Sequence, residues 1–222
     1  MTMEMEKPYV IGIDMGGTNT VFGIVDARGN GIAKGAIKTD NPDINSYISD
    51  LKTELDKQIE VVGGIEKIKG IGAGCPNGNF YTGNIEFAPN LPWKGVVPFA
   101  KLLQDTFGVP AAITNDANAA AVGERTYGIA RGMKNFIMIT LGTGVGSGIV
   151  IDGKIVYGHD GFAGELGHVR VVRNNGRVCG CGREGCLETY TSATGVARTA
   201  REILEMCDTP SVLRSIELKS IT

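Results

Sequence analysis

Residues 9–26 read YVIGIDMGGTNTVFGIVD, and residues 136–151 read FIMITLGTGVGSGIVI. Each is an apolar run, a glycine turn and a second apolar run. Tyr9 to Asp14 predicts a buried strand ending in a carboxylate, and Thr20 to Asp26 predicts the next. Gly31 to Lys38 predicts a third, reached through the turn residues Arg28, Gly29 and Asn30. The pattern restarts downstream. Phe136 to Leu141 and Gly148 to Ile151 predict two strands, and Asp152-Gly153 signals a hairpin before Lys154 to Tyr157.

The segment between the two meanders alternates helix and strand. Asp43 is a plausible N-cap, and Ile44, Ile48, Leu51, Leu55 and Ile59 then fall on one helix face. Ile68 to Gly74 predicts a strand that opens into a loop, Cys75 to Gly95. Val97 to Phe107 predicts a helix stopped by Gly108 and Pro110, and Ala111 to Thr114 a short strand. Ala117 to Arg125 is a strong helix former. After the second meander, a long helix is expected from Leu187 to Met206, with another starting at Thr209-Pro210. The duplication predicts an α/β fold of two related lobes with a cleft between them, residues 1–115 and 116–222. By symmetry with the first lobe, the second is expected to be incomplete.

Bulk properties narrow the class. The chain has 222 residues, 42% apolar and 21% charged, with a net charge of −2. That is an ordinary globular composition, with neither the basic footprint of a nucleic-acid binder nor that of an anionic-membrane binder. No apolar run approaches the roughly 18 residues of a membrane span. Met1 to Lys7 lacks the apolar core of a signal peptide, so a cytosolic protein is expected. The 33 glycines cluster in short motifs, as where backbone must approach a partner closely.

The first turn is Asp14-Met15-Gly16-Gly17-Thr18-Asn19-Thr20. Gly16 and Gly17 let backbone N–H groups converge on an anion, and Thr18 adds a hydroxyl. Asp14 could hold Mg²⁺ through water. A plain hairpin would explain Gly-Gly but neither Asp14 nor Thr18. The second turn holds Gly142, Thr143, Gly144, Gly146 and Gly148. Alternating glycines between apolar strands suggest a ligand, and two such turns suit a nucleotide polyphosphate. Two weaker patterns fail. Gly148 to Lys154 has P-loop spacing but is followed by Ile155, and Gly180 to Gly185 matches G-x-G-x-x-G without a preceding βαβ strand.

Cys179, Cys181 and Cys186 fall within eight residues and follow His168. In a cytosolic chain this set suits a closed tetrahedral Zn²⁺ site better than disulfides or free thiols. Such a site would be structural and would fix the loop that carries Glu188.

Taken in order, these motifs resemble the ROK family (repressors, open reading frames and sugar kinases) of the actin-like ATPase, or ribonuclease H-like, superfamily. The resemblance spans most of the chain. It rests on the two glycine turns, on Asn115-Asp116-Ala117-Asn118-Ala119, and on Gly164-Glu165-Leu166-Gly167-His168 with the cysteine loop through Glu188. It implies an ATP- and Mg²⁺-dependent hexose kinase with a structural Zn²⁺. Asp116 would be the catalytic base. Asn90, Asn115, Glu165, His168 and Glu188 would hold sugar hydroxyls, and His168, Cys179, Cys181 and Cys186 would hold zinc. Ala88-Pro89-Asn90-Leu91-Pro92-Trp93 looks most like the glucokinase branch, which favours glucose over N-acetylated hexosamines and fructose.

Simpler roles remain open on residue type alone. Asp116 could merely cap a helix, and Glu165 and Glu188 could be solvated carboxylates. The resemblance also implies a homo-oligomer and a further third of chain carrying most of the adenosine pocket. The 222 residues alone are expected to bind ATP poorly. A ROK-type sugar-responsive repressor is the main alternative, although the first strand begins by about Pro8 and leaves no room for a helix-turn-helix. A non-catalytic sugar-binding module is the other.

Overall fold

A computed structural model describes residues 7–222. The first half is a five-stranded sheet ordered β3-β2-β1-β4-β7. Its strands are β1 (Tyr9–Met15), β2 (Asn19–Asp26), β3 (Gly31–Lys38), β4 (Ile68–Cys75) and β7 (Ala111–Asn115). The first meander is antiparallel, with Ile13 opposite Phe22 and Asp14 opposite Val21. β4 and β7 add in parallel, with Asp14 beside Gly74, and Cys75 beside Asn115. β1, β4 and β7 therefore all end at one edge of the sheet, where an α/β crevice opens.

One face of this sheet is the core. Ile11, Ile13, Met15, Phe22, Ile24 and Ile71 are buried there. They pack under α1 (Ile44–Val61) and α2 (Phe99–Phe107), whose Leu51, Leu55, Phe99 and Leu103 are fully buried. Asp43 caps α1 as expected, its carboxylate accepting the Ser46 N–H at 2.9 Å. α2 starts two residues later than its apolar pattern suggests. Val96–Val97 (β6) pairs instead with Ile85–Glu86 (β5), which lies inside the segment read as plain loop. Pro98, which lacks an N–H, then stands at the helix boundary.

The second half opens with a three-stranded antiparallel sheet ordered β10-β9-β8. β8 is Phe136–Leu141, β9 is Val145–Ile151 and β10 is Lys154–Ile155, shorter than the expected Lys154 to Tyr157. Leu141 pairs with Val145, so the second turn is only Gly142 to Gly144. Gly146 and Gly148 lie within β9, contrary to the expectation that all four glycines serve a ligand. The reason is α3 (Asp116–Tyr127), which crosses this sheet. A Cβ on Gly146 would fall 2.9 Å from the Ala117 Cβ, and one on Gly148 would fall 2.7 Å from the Ala121 Cβ. The same helix lies against the first sheet, where a Cβ on Gly74 would be 3.0 Å from the Ala119 Cβ.

The helix expected from Leu187 to Met206 is two helices, α4 (Glu188–Thr191) and α5 (Ala193–Met206). Ser192 divides them. Its backbone is extended, with φ −66° and ψ 164°, and its hydroxyl accepts the Gly195 N–H at 3.1 Å. Serine at a cap offers the backbone an alternative to continuing the helix. Beyond Pro210 only two 3₁₀ turns form, Val212–Ser215 and Leu218–Ser220, in place of the expected helix. Among the described residues, no helix is long and apolar enough to cross a membrane.

Candidate functional site

Three strand ends and one helix start build the centre of the site. β1 delivers Asp14, β4 delivers Gly74 and Cys75, and β7 runs directly into Asn115 and Asp116. Asn115 is the N-cap of α3. Its Oδ1 accepts the N–H groups of Ala117 at 2.9 Å and Asn118 at 3.4 Å. Of the roles left open for Asp116, the N-cap therefore falls to Asn115 instead. Asp116 is the first helical residue and is exposed, with Oδ1 also accepting from Ala117 N–H at 2.8 Å. Asn115 keeps its amide Nδ2 free of the cap, as a donor.

Strands of both sheets meet at this helix start. A Cβ on Gly74 would lie 3.4 Å from the Asp116 Cα, and Gly146 abuts Ala117 from the second sheet. Asp14 sits one strand away from Gly74. Burial, and then the Asp116 carboxylate, push the Asp14 carboxyl above its ordinary value. Cys75 is fully buried between these two carboxylates. Burial first, then Asp116 and Asp14, push its thiol up and keep it neutral.

The first turn closes through the Gly16 N–H, which donates to Asn19 O at 2.9 Å. The segment carrying Asn90 packs on it. A Cβ on Gly17 would be 3.0 Å from Asn90 O, so Gly17 permits the approach and Asn90 stands beside the turn. Thr18 is exposed there, with its carbonyl accepting the Thr39 N–H at 3.0 Å.

Glu165 comes from the segment after β10. Burial pushes its carboxyl above the ordinary range, His168 opposes, and Asp116 and Glu188 add to the rise. The carboxylate at 116 is thus felt at both Asp14 and Glu165, which lie in opposite halves of the chain. Two residues not singled out from sequence help hold this segment. The Ser147 hydroxyl, buried in β9, donates to Gly164 O and accepts the Leu166 N–H at 3.3 Å. Asn79, also buried, donates to Asp160 O at 2.9 Å, while the rings of Phe80 and Tyr157 stack at 4.4 Å. Ser147 was legible only as one more residue of a glycine-rich strand. Asn79 bonds across 81 positions, a separation with no local sequence signal.

His168, Cys179, Cys181 and Cys186 do come together. Their ligand atoms all lie within 4.8 Å of one another. His168 Nδ1 is 3.6 Å from Cys179 Sγ, and the Cys181 and Cys186 sulfurs are 3.7 Å apart. A disulfide needs about 2.05 Å. A tetrahedron with Zn–S bonds of about 2.3 Å has edges of about 3.8 Å, so the donor set fits Zn²⁺. Burial pushes the Cys179 thiol up to about 12. The backbone N–H of Arg183 leads in bringing Cys181 down to about 6. A shared dication would offset the cost of the buried thiolate.

The loop geometry explains its glycines. Gly185 has φ +79°, and a side chain there would strike the carbonyl of Val172. Arg177 pins the loop to α4 and α5. It donates to Thr189 O at 2.7 Å and Thr199 Oγ1 at 2.9 Å, pairs with Glu202 at 2.5 Å, and lies 4.6 Å over the Tyr190 ring.

Glu188, two residues past Cys186, faces both neighbours. Its Oε1 lies 3.7 Å from Cys179 Sγ, and its Oε2 accepts the Val145 N–H at 3.0 Å.

A five-stranded sheet opened by a glycine-turn meander, a second such meander, and a shared helix starting with Asn-Asp define the α/β fold of the actin-like ATPases. Within it, the chain belongs to the ROK family, whose model matches residues 10–221. It is 40% identical over 204 residues to a glucokinase of Halalkalibacterium halodurans, covering 89% of this chain and 61% of that protein. It is also 37% identical over 139 residues to a xylose repressor of Caldicellulosiruptor bescii, covering 62% of this chain and 34% of that protein. Among solved structures, a ROK family glucokinase from Streptomyces griseus in complex with glucose and AMPPNP superposes with a TM-score of 0.77 at 32% identity. That match covers 96% of this chain and 68% of the other. The chain therefore spans roughly three-fifths to two-thirds of the kinases it resembles.

Proposed function

We propose that the full-length protein phosphorylates a hexose hydroxyl with ATP, glucose being the first candidate. The observation that carries this reading is the division of labour at the start of α3. Asn115 satisfies the helix N-terminus, while Asp116 stands exposed within electrostatic reach of Asp14 and Glu165.

In this reading Asp116 accepts the proton of the sugar hydroxyl. The hydroxyl oxygen forms a bond to the γ-phosphorus as the bond to the ADP oxygen breaks. General-base help of this kind contributes typically 10²–10⁴-fold. Asn90, the Asn115 amide, Glu165, His168 and Glu188 orient the sugar, since paired donors and acceptors suit vicinal hydroxyls. Gly16, Gly17, Thr18, Gly142, Thr143 and Gly144 supply N–H and hydroxyl donors to the phosphates. Asp14 would hold Mg²⁺ through water, and that ion would neutralise charge on the transferring phosphoryl group. A Zn²⁺ at His168, Cys179, Cys181 and Cys186 would be structural, because all four positions come from protein. It would leave His168 one ring nitrogen for the sugar.

A coupled ADP-release assay of the full-length protein against a hexose panel tests the reading. Glucose is expected to accelerate ADP release most, and Asp116→Asn to abolish the acceleration. The similarity to a xylose repressor supports a second reading, a sugar-responsive regulator. That reading wins if no hexose accelerates ADP release while one still raises the melting temperature.

A further inference from the structure

The second glycine turn is held in shape by the segment that leaves the cysteine loop. Val145 N–H donates to Glu188 Oε2 at 3.0 Å. Gly142 O accepts the Ala193 N–H at 2.9 Å, and Thr143 O accepts the Thr194 hydroxyl at 3.4 Å. The turn's own cross-bond is a single one, Gly142 N–H to Gly144 O at 3.0 Å. A Cβ on Gly144 would lie 2.5 Å from Glu188 Oε2, so a side chain there would displace the carboxylate. Three polar groups of a three-residue turn and its flank thus depend on residues 188–194.

Those residues in turn depend on the His/Cys cluster. Leu187 N–H donates to Val169 O at 2.9 Å, next to His168, and Thr189 N–H donates to Cys186 O at 3.1 Å. Glu188 Oε1 faces Cys179 Sγ. The path from ligand to turn is therefore short: two residues of backbone from Cys186 to Glu188, then one side chain to Val145.

We propose that Glu188 is a positioning residue through which metal at the Cys₃His cluster sets the shape of the Gly142–Val145 turn, so that metal occupancy governs the phosphate half of the site as well as the sugar half. The second clause rests on the phosphate-binding reading given above. The first stands without it.

Amide hydrogen exchange on the zinc-loaded and chelator-stripped protein tests this directly. Stripping is expected to speed exchange of the peptide spanning residues 141–147 at least tenfold, with peptides from α1 and β4 unchanged. In Glu188→Ala, one zinc per chain is expected to remain, yet the turn should exchange fast with or without metal. Glu188→Gln should restore protection, because its amide oxygen can still accept from Val145. The proposal is overturned if stripping loosens residues 177–188 while the wild-type turn keeps its protection. It is equally overturned if Glu188→Ala preserves the metal dependence. AMPPNP titration of the zinc-loaded full-length wild type separates the two claims. No binding, with a metal-dependent turn, would sink the kinase reading and leave the coupling standing.

Discussion

Gly148 of β9 faces Ala121 of α3 so closely that a Cβ on the glycine would lie 2.7 Å from the alanine Cβ. Overpacking of this kind costs typically 1–3 kcal/mol. Gly148→Ala should therefore lower the denaturant midpoint by about that much. Gly142→Ala is the contrast, since nothing lies within 4 Å of its Cβ position. Its stability should change by no more than about 0.5 kcal/mol, while its affinity for AMPPNP falls. Equal destabilisation of the two variants would contradict the division between packing and turn glycines.

Removing the carboxylate at 116 should separate catalysis from folding. Asp116→Asn is expected to lower hexose-dependent ADP release by at least about 10²-fold, within the range for general-base loss. Its thermal midpoint should stay near wild type, because Asn115 retains the cap. Asn115→Ala should instead cost about 1 kcal/mol of stability. A large loss of stability in Asp116→Asn would show that the cap had been misassigned.

Asp14 should cost the protein stability at neutral pH. Its folded-state pKa is raised above the ordinary 3.8 by burial and by Asp116. A raised carboxyl binds its proton more tightly when folded, so the native state is penalised once the group ionises. That penalty is present above the folded pKa and fades as pH falls through it. Asp14→Asn should thus be more stable than wild type at pH 7, with the gap closing under acid. Urea melts at a series of pH values read this, and a gap that widens under acid would refute it.

Metal analysis should find one zinc per chain in the wild type. Cys181→Ser and Cys186→Ser should each reduce that content and lower the thermal midpoint. Cys207→Ser should do neither, because Cys207 lies outside the cluster. Full zinc content in Cys186→Ser would remove that thiol from the ligand set.

Much of this was legible from residue patterns. The α1 face from Ile48 to Ile59 and the Asp43 cap depend on local spacing, and both are found. The four cluster residues could be read because metal ligands must be of few types and close together. Gly146 and Gly148 could not be assigned, because their reason is a helix that crosses β9 from about 30 residues upstream. The break at Ser192 was hidden for a similar reason. A serine within an apolar periodic stretch reads as helix until the Ala193 N–H is seen bonded to Gly142 rather than within the helix. The roles of Ser147 and Asn79 are long-range hydrogen bonds, which leave no periodic trace.

Because the Asn115 side chain takes two N–H groups of the helix terminus, the scaffold is expected to tolerate a change at its neighbour. On the kinase reading proposed above, one substitution at 116 would remove the proton acceptor and leave the scaffold in place. A catalyst and a sugar-binding protein of this architecture would then stand a single mutational step apart.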